Sequence, residues 1–361
     1  MGTTDVTYLV TGGAGFVGSS ISLFLKRNRP NARVIALDNL KRRGSELSLA
    51  RLHDVGVEFV HGDVREFSDI EQVGPVDWLI ECSAEPSVQA GYGQSPAYVT
   101  NTNLNGAINC LEHLRRHGGR MIFLSTSRVY PIESLRELPL DYRSPNRLDI
   151  TDAVGAGYST QGISENFPLH GARSLYGTTK LCAEHYITEY ANMYGIETVI
   201  NRCGIIAGPW QMGKVDQGVI TLWMARHLFG GSLKYIGFGG TGHQVRDALH
   251  VDDLCDLIDI QIDSVSRVAG GIYNVGGGLQ NSVSLSELTM MCSDISKRVL
   301  DIGRDPSTHP ADIPYYVSDG ERINQSTSWV PRRSVAVLLE DIYSWILAHR
   351  AMLEPILVGK G

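Results

Sequence analysis

The sequence predicts an α/β protein: a doubly wound parallel sheet followed by a smaller C-terminal lobe. Three observations predict it. Short apolar runs recur at regular intervals through residues 8–202, helix-like segments separate them, and a glycine-rich turn follows the first run. Strands that alternate with helices pair in parallel, with the helices covering both faces of the sheet. A chain of 361 residues is long enough for about two domains.

The elements follow in order. Residues 8–11 form an apolar strand, and 16–26 carry apolar residues at helical spacing. Residues 34–38, 57–60, 78–82 and 121–125 are four further strands, with a helix over 103–116 between the last two. The rhythm resumes with a helix over 176–193 and a strand over 198–202. Between them, 131–173 shows no clear period and is rich in Pro, Gly, Ser and Tyr, which reads as a long irregular binding loop. Beyond residue 204 the pattern is mixed: helices over 219–228, 252–265 and 335–349, and a strand over 233–236.

Composition excludes several classes. The net charge of −7 leaves no basic face for nucleic acid or an anionic membrane, so an anionic ligand must be held by a few placed cations. The six cysteines show no C-x-x-C pairing and suit a reducing compartment. No run approaches the ~18 apolar residues that a membrane span needs, and no leader is expected ahead of the first strand. We expect a cytoplasmic protein, and no metal centre among its histidines.

Gly13-Ala14-Gly15-Phe16-Val17-Gly18 is a G-x-G-x-x-G, preceded by Gly12 and a strand and opening a helix. Such glycines permit a tight turn, backbone approach to a pyrophosphate and close helix–sheet packing. The pyrophosphate then meets the positive helix N-terminus. Asp38 ends the second strand 20 residues after Gly18, where a carboxylate binds ribose hydroxyls. Its charge repels a 2′-phosphate, so NAD is expected over NADP, with Lys41, Arg42 and Arg43 read as solvated surface. The first domain is therefore a Rossmann-type NAD-binding domain over 1–203, with the 131–173 loop at the active site, and 204–361 is mainly a substrate-binding lobe.

Tyr176 and Lys180 form a Y-x-x-x-K at the start of a helix, a spacing that sets both on one face. A nearby ammonium stabilises a phenolate, which lets Tyr176 exchange a proton with a substrate hydroxyl. Thr126, at the end of the fifth strand, is placed to hydrogen-bond the same hydroxyl.

The T-G-G-A-G-F-V-G of residues 11–18, the Ser125-Thr126 strand end and the Tyr176/Lys180 pair resemble the extended short-chain dehydrogenase/reductase superfamily. Arg246-Asp247-Ala248-Leu249-His250-Val251-Asp252-Asp253 matches the R-D-x-x-H-x-x-D of its sugar-nucleotide members. The resemblance implies a cofactor site formed by Gly12, Gly15, Phe16, Val17, Gly18, Asp38, Asn39, Asp63, Val64, Ser83, Ala84, Asn103, Tyr176 and Lys180. It implies a nucleotide-sugar substrate, with Thr126, Gln217, Gln244 and Arg246 in contact with it and Arg246 on its phosphates. His243 and His250 are read as polar neighbours of that substrate.

The family's 4,6-dehydratases place Asp-Glu after the catalytic Thr, whereas Ser127-Arg128 stand here, which disfavours dehydration. Asp38 disfavours the NADP-dependent reductases. An epimerase needs only reversible oxidation and reduction, and the segments 201–211, 216–218 and 235–247 resemble the branch that inverts carbon 2 of the sugar. Ile205 stands where 4-epimerases tend to carry Asn. A 4-epimerase, another NAD-dependent oxidoreductase of the family and a non-catalytic dinucleotide-binding protein are the alternatives. The chain also departs from the family: Glu81-Cys82-Ser83-Ala84 replaces H-x-A-A, Pro314 stands where relatives often carry Arg, and Pro131 follows Val129-Tyr130. Relatives pair through the helices matching 103–116 and 176–193, so a homodimer or homotetramer is expected.

Overall fold

The computed structural model describes residues 6–151, 154–213 and 218–357. The chain forms two compact units: Met1–Val129, Ser174–Arg202 and Cys255–Tyr273 in the first, Tyr130–Arg173, Cys203–Leu254 and Asn274–Gly361 in the second.

The first unit is built on a seven-stranded sheet: β1 (Thr7–Thr11), β2 (Arg33–Asp38), β3 (Glu58–His61), β4 (Trp78–Glu81), β5 (Arg120–Thr126), β6 (Thr198–Cys203) and β7 (Ile272–Val275). Their order is β3-β2-β1-β4-β5-β6-β7, and the strands run parallel. The strand order reverses between β1 and β4, and in such sheets ligands bind beyond the carboxyl ends at that reversal.

The strands are apolar on both faces because both are covered: β1 is buried from Tyr8 to Thr11 and β4 throughout. On one face Leu9, Ile35, Leu79, Met121 and Phe123 pack against Ala107, Cys110, Leu111, Leu114, Ala183 and Ile187. The last six come from α2 (Gly106–His117) and α3 (Leu175–Tyr194), while α1 (Phe16–Asn28) buries Ile21 and Leu25. Ser174 caps α3 by accepting the Gly177 N–H at 3.2 Å, and Gly195 ends it in the left-handed region at φ 69°.

Two expectations need correction here. The helix expected over 103–116 starts earlier, at Ala97–Thr100, and passes through a π-helical stretch, Asn101–Asn105, before α2 becomes regular. The expected division at residue 203 is also too simple. Residues 255–273 return to the first unit, because they lead into the edge strand β7, and 130–173 belong to the second.

The second unit centres on the strand Val245–His250. It runs parallel to Ile205–Ala207 and Tyr315–Tyr316 and antiparallel to Ser282–Ser284. Segment 131–173 is not the irregular loop expected. It holds a helix (Ile132–Arg136) and two antiparallel pairs, Leu140–Ser144 with Arg147–Ile150 and Tyr158–Ser159 with Gly162–Ile163. Among the described residues no helix is long and apolar enough to cross a membrane.

Candidate active site

The residues proposed for cofactor and proton transfer lie in the first unit, at or just past the carboxyl ends of its strands: Gly12–Gly18 after β1, Asp38 on β2, Asp63 after β3, Ser83 and Ala84 after β4, and Thr126 on β5. The glycines divide by what surrounds them. Gly12 has φ +62°, a Cβ on Gly13 would meet Ala36 at 2.6 Å, and one on Gly18 would collide with the Gly12 carbonyl. These three close the turn and let α1 approach the sheet. Gly15 differs, since its Cβ would meet only the Gly12 oxygen, at 3.1 Å. Its open side is a cradle a pyrophosphate fits, and α1 starts there with no side-chain cap and no acidic residue in its first turn. Phe16 and Val17 form that turn, so they offer backbone N–H groups to an anion.

The Asp38 carboxylate accepts the N–H of Leu40 at 2.7 Å and of Ala14 at 3.2 Å. Burial pushes its pKa up and those backbone bonds pull it back. Asn39 donates to Asp63 at 2.9 Å, and Arg65 forks onto the same carboxylate at 2.6 and 2.9 Å. The Val64 side chain packs in the core and its carbonyl accepts from Asn109 at 2.8 Å, which leaves only its N–H for a ligand. Buried Asn103 accepts from the Glu85 N–H at 2.8 Å and donates to the Glu85 carbonyl and to Thr179. It thus ties the segment after β4 to α3, a bracing role that its residue type alone did not reveal.

Thr126 is buried and accepts the Arg128 N–H at 3.2 Å, inside the tight turn Ser127–Val129. Tyr176 is half-buried in the first turn of α3, and Lys180 follows one turn later, 2% exposed. Helix α3 packs on β5 and on the turn after it. The registry is set by a buried cluster absent from the sequence expectations: Arg202 on β6 forks onto Glu184 at 2.7 and 3.1 Å, and Ser125, beside Thr126, donates to Glu184 at 2.5 Å. Glu184 lies one turn beyond Lys180, so the cluster ties the helix carrying Tyr176 to the strand carrying Thr126. A Y-x-x-x-K-x-x-x-E reading of the helix was the available signal.

The second unit treats its expected residues differently. Arg246 donates to the Ile313 carbonyl at 2.6 Å, the Val245 carbonyl at 2.8 Å and Asp312 at 3.3 Å. Gln244 is 7% exposed and donates to the Ile236 carbonyl at 3.1 Å, while its side-chain oxygen is buried and has no partner among the described residues. Gln217 lies outside the described residues. The other members of the R-D-x-x-H-x-x-D pattern are braces. Asp247 accepts the N–H groups of Gly278 and Ser318 at 3.1 Å, His250 accepts the Asp252 N–H at 3.0 Å, and Asp253 holds Arg333 at 2.5 Å.

One cluster of histidines lies apart from these residues. His113 and His117 stand four residues apart on α2 and, with Glu71, bring three groups of ligand type together within 4.8 Å. His117 bonds Glu71 at 2.8 Å, His113 lies at 3.8 Å and Arg116 at 4.0 Å from it. His117 foremost holds the Glu71 carboxyl below its usual range. Arg115 and Arg116 stand at the C-terminal end of α2, where positive charge complements the last carbonyls of a helix, while burial pushes the His113 pKa down. That end precedes β5, so the cluster sits at the amino edge of the sheet, away from the strand ends described above.

A family model described as the NAD dependent epimerase/dehydratase family matches residues 8–276. The chain belongs to this family. It is 28% identical over 345 residues to the CDP-paratose 2-epimerase of Salmonella typhi, covering 93% of this chain and 98% of that one. It is also 28% identical over 362 residues to the dTDP-glucose 4,6-dehydratase of Streptomyces niveus, covering 96% and 95%. Among solved structures, the UDP-glucose 4-epimerase of Thermus thermophilus in complex with NAD matches with a TM-score of 0.74 and 25% identity over 95% of this chain and 99% of that one. The chain is thus an enzyme of the NAD-dependent nucleotide-sugar epimerases and dehydratases, and NAD is its cofactor. The open side of Gly15, the uncapped start of α1 and the Asp38 carboxylate fit that cofactor. Identity does not separate epimerase from dehydratase, since both relatives stand at 28%.

Proposed function

We propose that this chain inverts carbon 2 of CDP-paratose, giving CDP-tyvelose through a transient 2-keto sugar. The observation that carries the reading is the strand end of β5. Thr126 is followed by Ser127 and Arg128 in a tight turn, where dehydratases of the resemblance place an acid and a base. The likeness to the Salmonella typhi 2-epimerase supports the sugar and the carbon.

Bound NAD supplies reversible hydride acceptance at the carbon being inverted. The chain's residues supply the rest. Tyr176 takes the hydroxyl proton and later returns it, Thr126 holds the hydroxyl, and the Lys180 ammonium stabilises the phenolate. Gly15, Phe16 and Val17 bind the pyrophosphate through backbone, and Asp38 with Asn39 takes the adenine-side ribose. Asp63 and the Val64 N–H face the adenine, Ser83 and Ala84 line the groove, and Asn103 orients the segment beside it. Arg246, Gln244 and Gln217 hold the nucleotide diphosphate and sugar. Arg246 reaches that role by exchanging its bond to Asp312 for phosphate.

The test is incubation with CDP-paratose and, separately, with UDP- and CDP-hexoses, followed by NMR of the ring protons. Inversion at carbon 2 of CDP-paratose is expected. Inversion of a UDP-hexose at carbon 4 would transfer the enzyme to the 4-epimerases, and no reaction with any of them would defeat the reading. The proposal includes a cytoplasmic homodimer or homotetramer joined through α2 and α3. Tyr186, Met193 and Tyr194 of α3 are exposed apolar side chains that such an interface would cover. Light scattering of the purified protein checks it.

A further inference from the structure

Lys180 is held in a way the family pattern does not provide. Its ammonium is 2% exposed and lies 3.3 Å from a carboxylate of Glu81, which is 1% exposed at the end of β4. Its other near neighbour is the Phe123 ring, with the ammonium 4.3 Å from the centroid. Glu81 occupies the first position of the segment where the family usually carries His. An ammonium so buried loses its proton readily unless an anion accompanies it.

Among the described residues, the groups named below supply no substitute. Glu184, one turn along α3, is engaged by Arg202 and Ser125. Cys110, facing the pair from α2, is a neutral thiol, pushed well above its usual range by burial and by the Glu81 charge. Asn103 and Thr179 bond each other, and Ser125 and Thr126 of β5 carry no charge. Burial pushes the Glu81 carboxyl up, while Lys180 and then the Ser83 N–H pull it back.

We propose that Glu81 is a positioning residue that keeps Lys180 cationic, so that the first proton to leave the Tyr176–Lys180 pair leaves the tyrosine. The inference rests on the reading of Tyr176 and Lys180 as the proton-transfer pair. When two neighbouring groups compete to lose one proton, the group with the better counter-charge keeps it. With Glu81 present, Lys180 keeps its proton and the phenolate forms. With an amide in its place, Lys180 gives up its proton first and the phenolate waits for a second, more costly ionisation.

The experiment is a near-ultraviolet titration of phenolate absorbance in the purified holoenzyme, taken as wild type minus Tyr176→Phe. It is repeated in Glu81→Gln, Glu81→Asp, Lys180→Met and the Glu81→Gln/Lys180→Met double variant. Glu81→Gln should raise the phenolate midpoint by at least about one pH unit, a tenfold change in proton affinity, and Glu81→Asp should stay near wild type. In the Lys180→Met background, Glu81→Gln should move nothing further, because Glu81 acts through the lysine. If Glu81→Gln fails to fold, the 13Cε NMR shift of Lys180 in the wild-type holoenzyme reads the same question, because an ammonium that loses its proton before the phenolate forms would overturn the proposal. A midpoint that Glu81→Gln leaves unmoved or lowers would overturn the proposal, as would a further shift in the Lys180→Met background. Failure of the underlying reading looks different: wild type minus Tyr176→Phe would then show no phenolate step below that of an ordinary tyrosine.

Discussion

The two units use their buried charges in different ways. In the first, acid meets base: Lys180 with Glu81 and Arg202 with Glu184, both pairs fixed on strands or on α3. In the second, Asp253 also pairs with Arg333, but most charged side chains hold up backbone. Arg136 donates to the carbonyls of His309, Pro310 and Asp312, Asp247 gathers two N–H groups, and Arg246 donates to the carbonyls of Val245 and Ile313. Irregular segments leave backbone groups without ladder partners, and those groups must find a partner when buried. A regular sheet satisfies its own backbone and leaves its charged side chains to position chemistry. The difference sets the residues proposed for proton transfer among fixed acid–base pairs. It also makes Arg246 a brace first and a ligand contact only if it can change partners.

The sharpest break of that comparison is at Tyr176. Tyr176→Phe should cut turnover by roughly 10²–10⁴ while thermal melting and the NAD content of the denatured supernatant stay near wild type. Turnover like wild type would remove chemistry from the first unit. Next comes the buried pair. Arg202→Met leaves Glu184 unpaired and should cost about 3–5 kcal/mol in denaturant unfolding, with the Glu184→Met/Arg202→Met double variant recovering much of it. Equal losses in single and double variants would mean the pair is not coupled.

Smaller effects sharpen the glycine assignment. Gly15 has an ordinary backbone conformation, φ −67° and ψ 172°, and its methyl would press only on the Gly12 oxygen at 3.1 Å, so Gly15→Ala should cost little stability and lose NAD affinity about tenfold. Gly18→Ala should instead lower stability, because its methyl meets the Gly12 carbonyl. In the second unit, Arg246→Ala should raise KM about fivefold with little change in kcat if the contact is equal in ground and transition states. A lowered melting temperature with KM unchanged would leave Arg246 as a brace alone.

The smallest effect is on acid stability. Arg65 holds the Asp63 carboxyl at about 2, against an ordinary 3.8, so its stabilisation is complete above the ordinary value and fades as pH falls through about 2. Asp63→Asn should flatten the stability profile over that window by less than about 1 kcal/mol, since Arg65 is partly exposed. A profile of unchanged slope would deny the pairing.

Much of the first unit was legible because its strands are short apolar runs and its turns are glycine-marked. The pair Tyr176–Lys180 was legible because a helix converts a spacing of four into a shared face. Partners distant in sequence were not: Glu81 lies 99 positions from Lys180 and Arg202 lies 18 from Glu184. The hairpin over Leu140–Ser144 and Arg147–Ile150 was missed because its strands read LDYRS and RLDI, without an apolar run, although Pro145-Asn146 between them is turn chemistry. In the second unit the motif named residue types but not their partners, so it did not show that His250 braces the start of the following helix.

Hydride transfer at the strand ends of the first unit is open to an isotope measurement. The holoenzyme is incubated with CDP-paratose in deuterated water and the ring protons are followed by NMR. Inversion at carbon 2 is expected with the original hydrogen returned and almost no deuterium at that carbon. Deuterium entering at the inverted carbon would show proton exchange with solvent and rule out hydride transfer there.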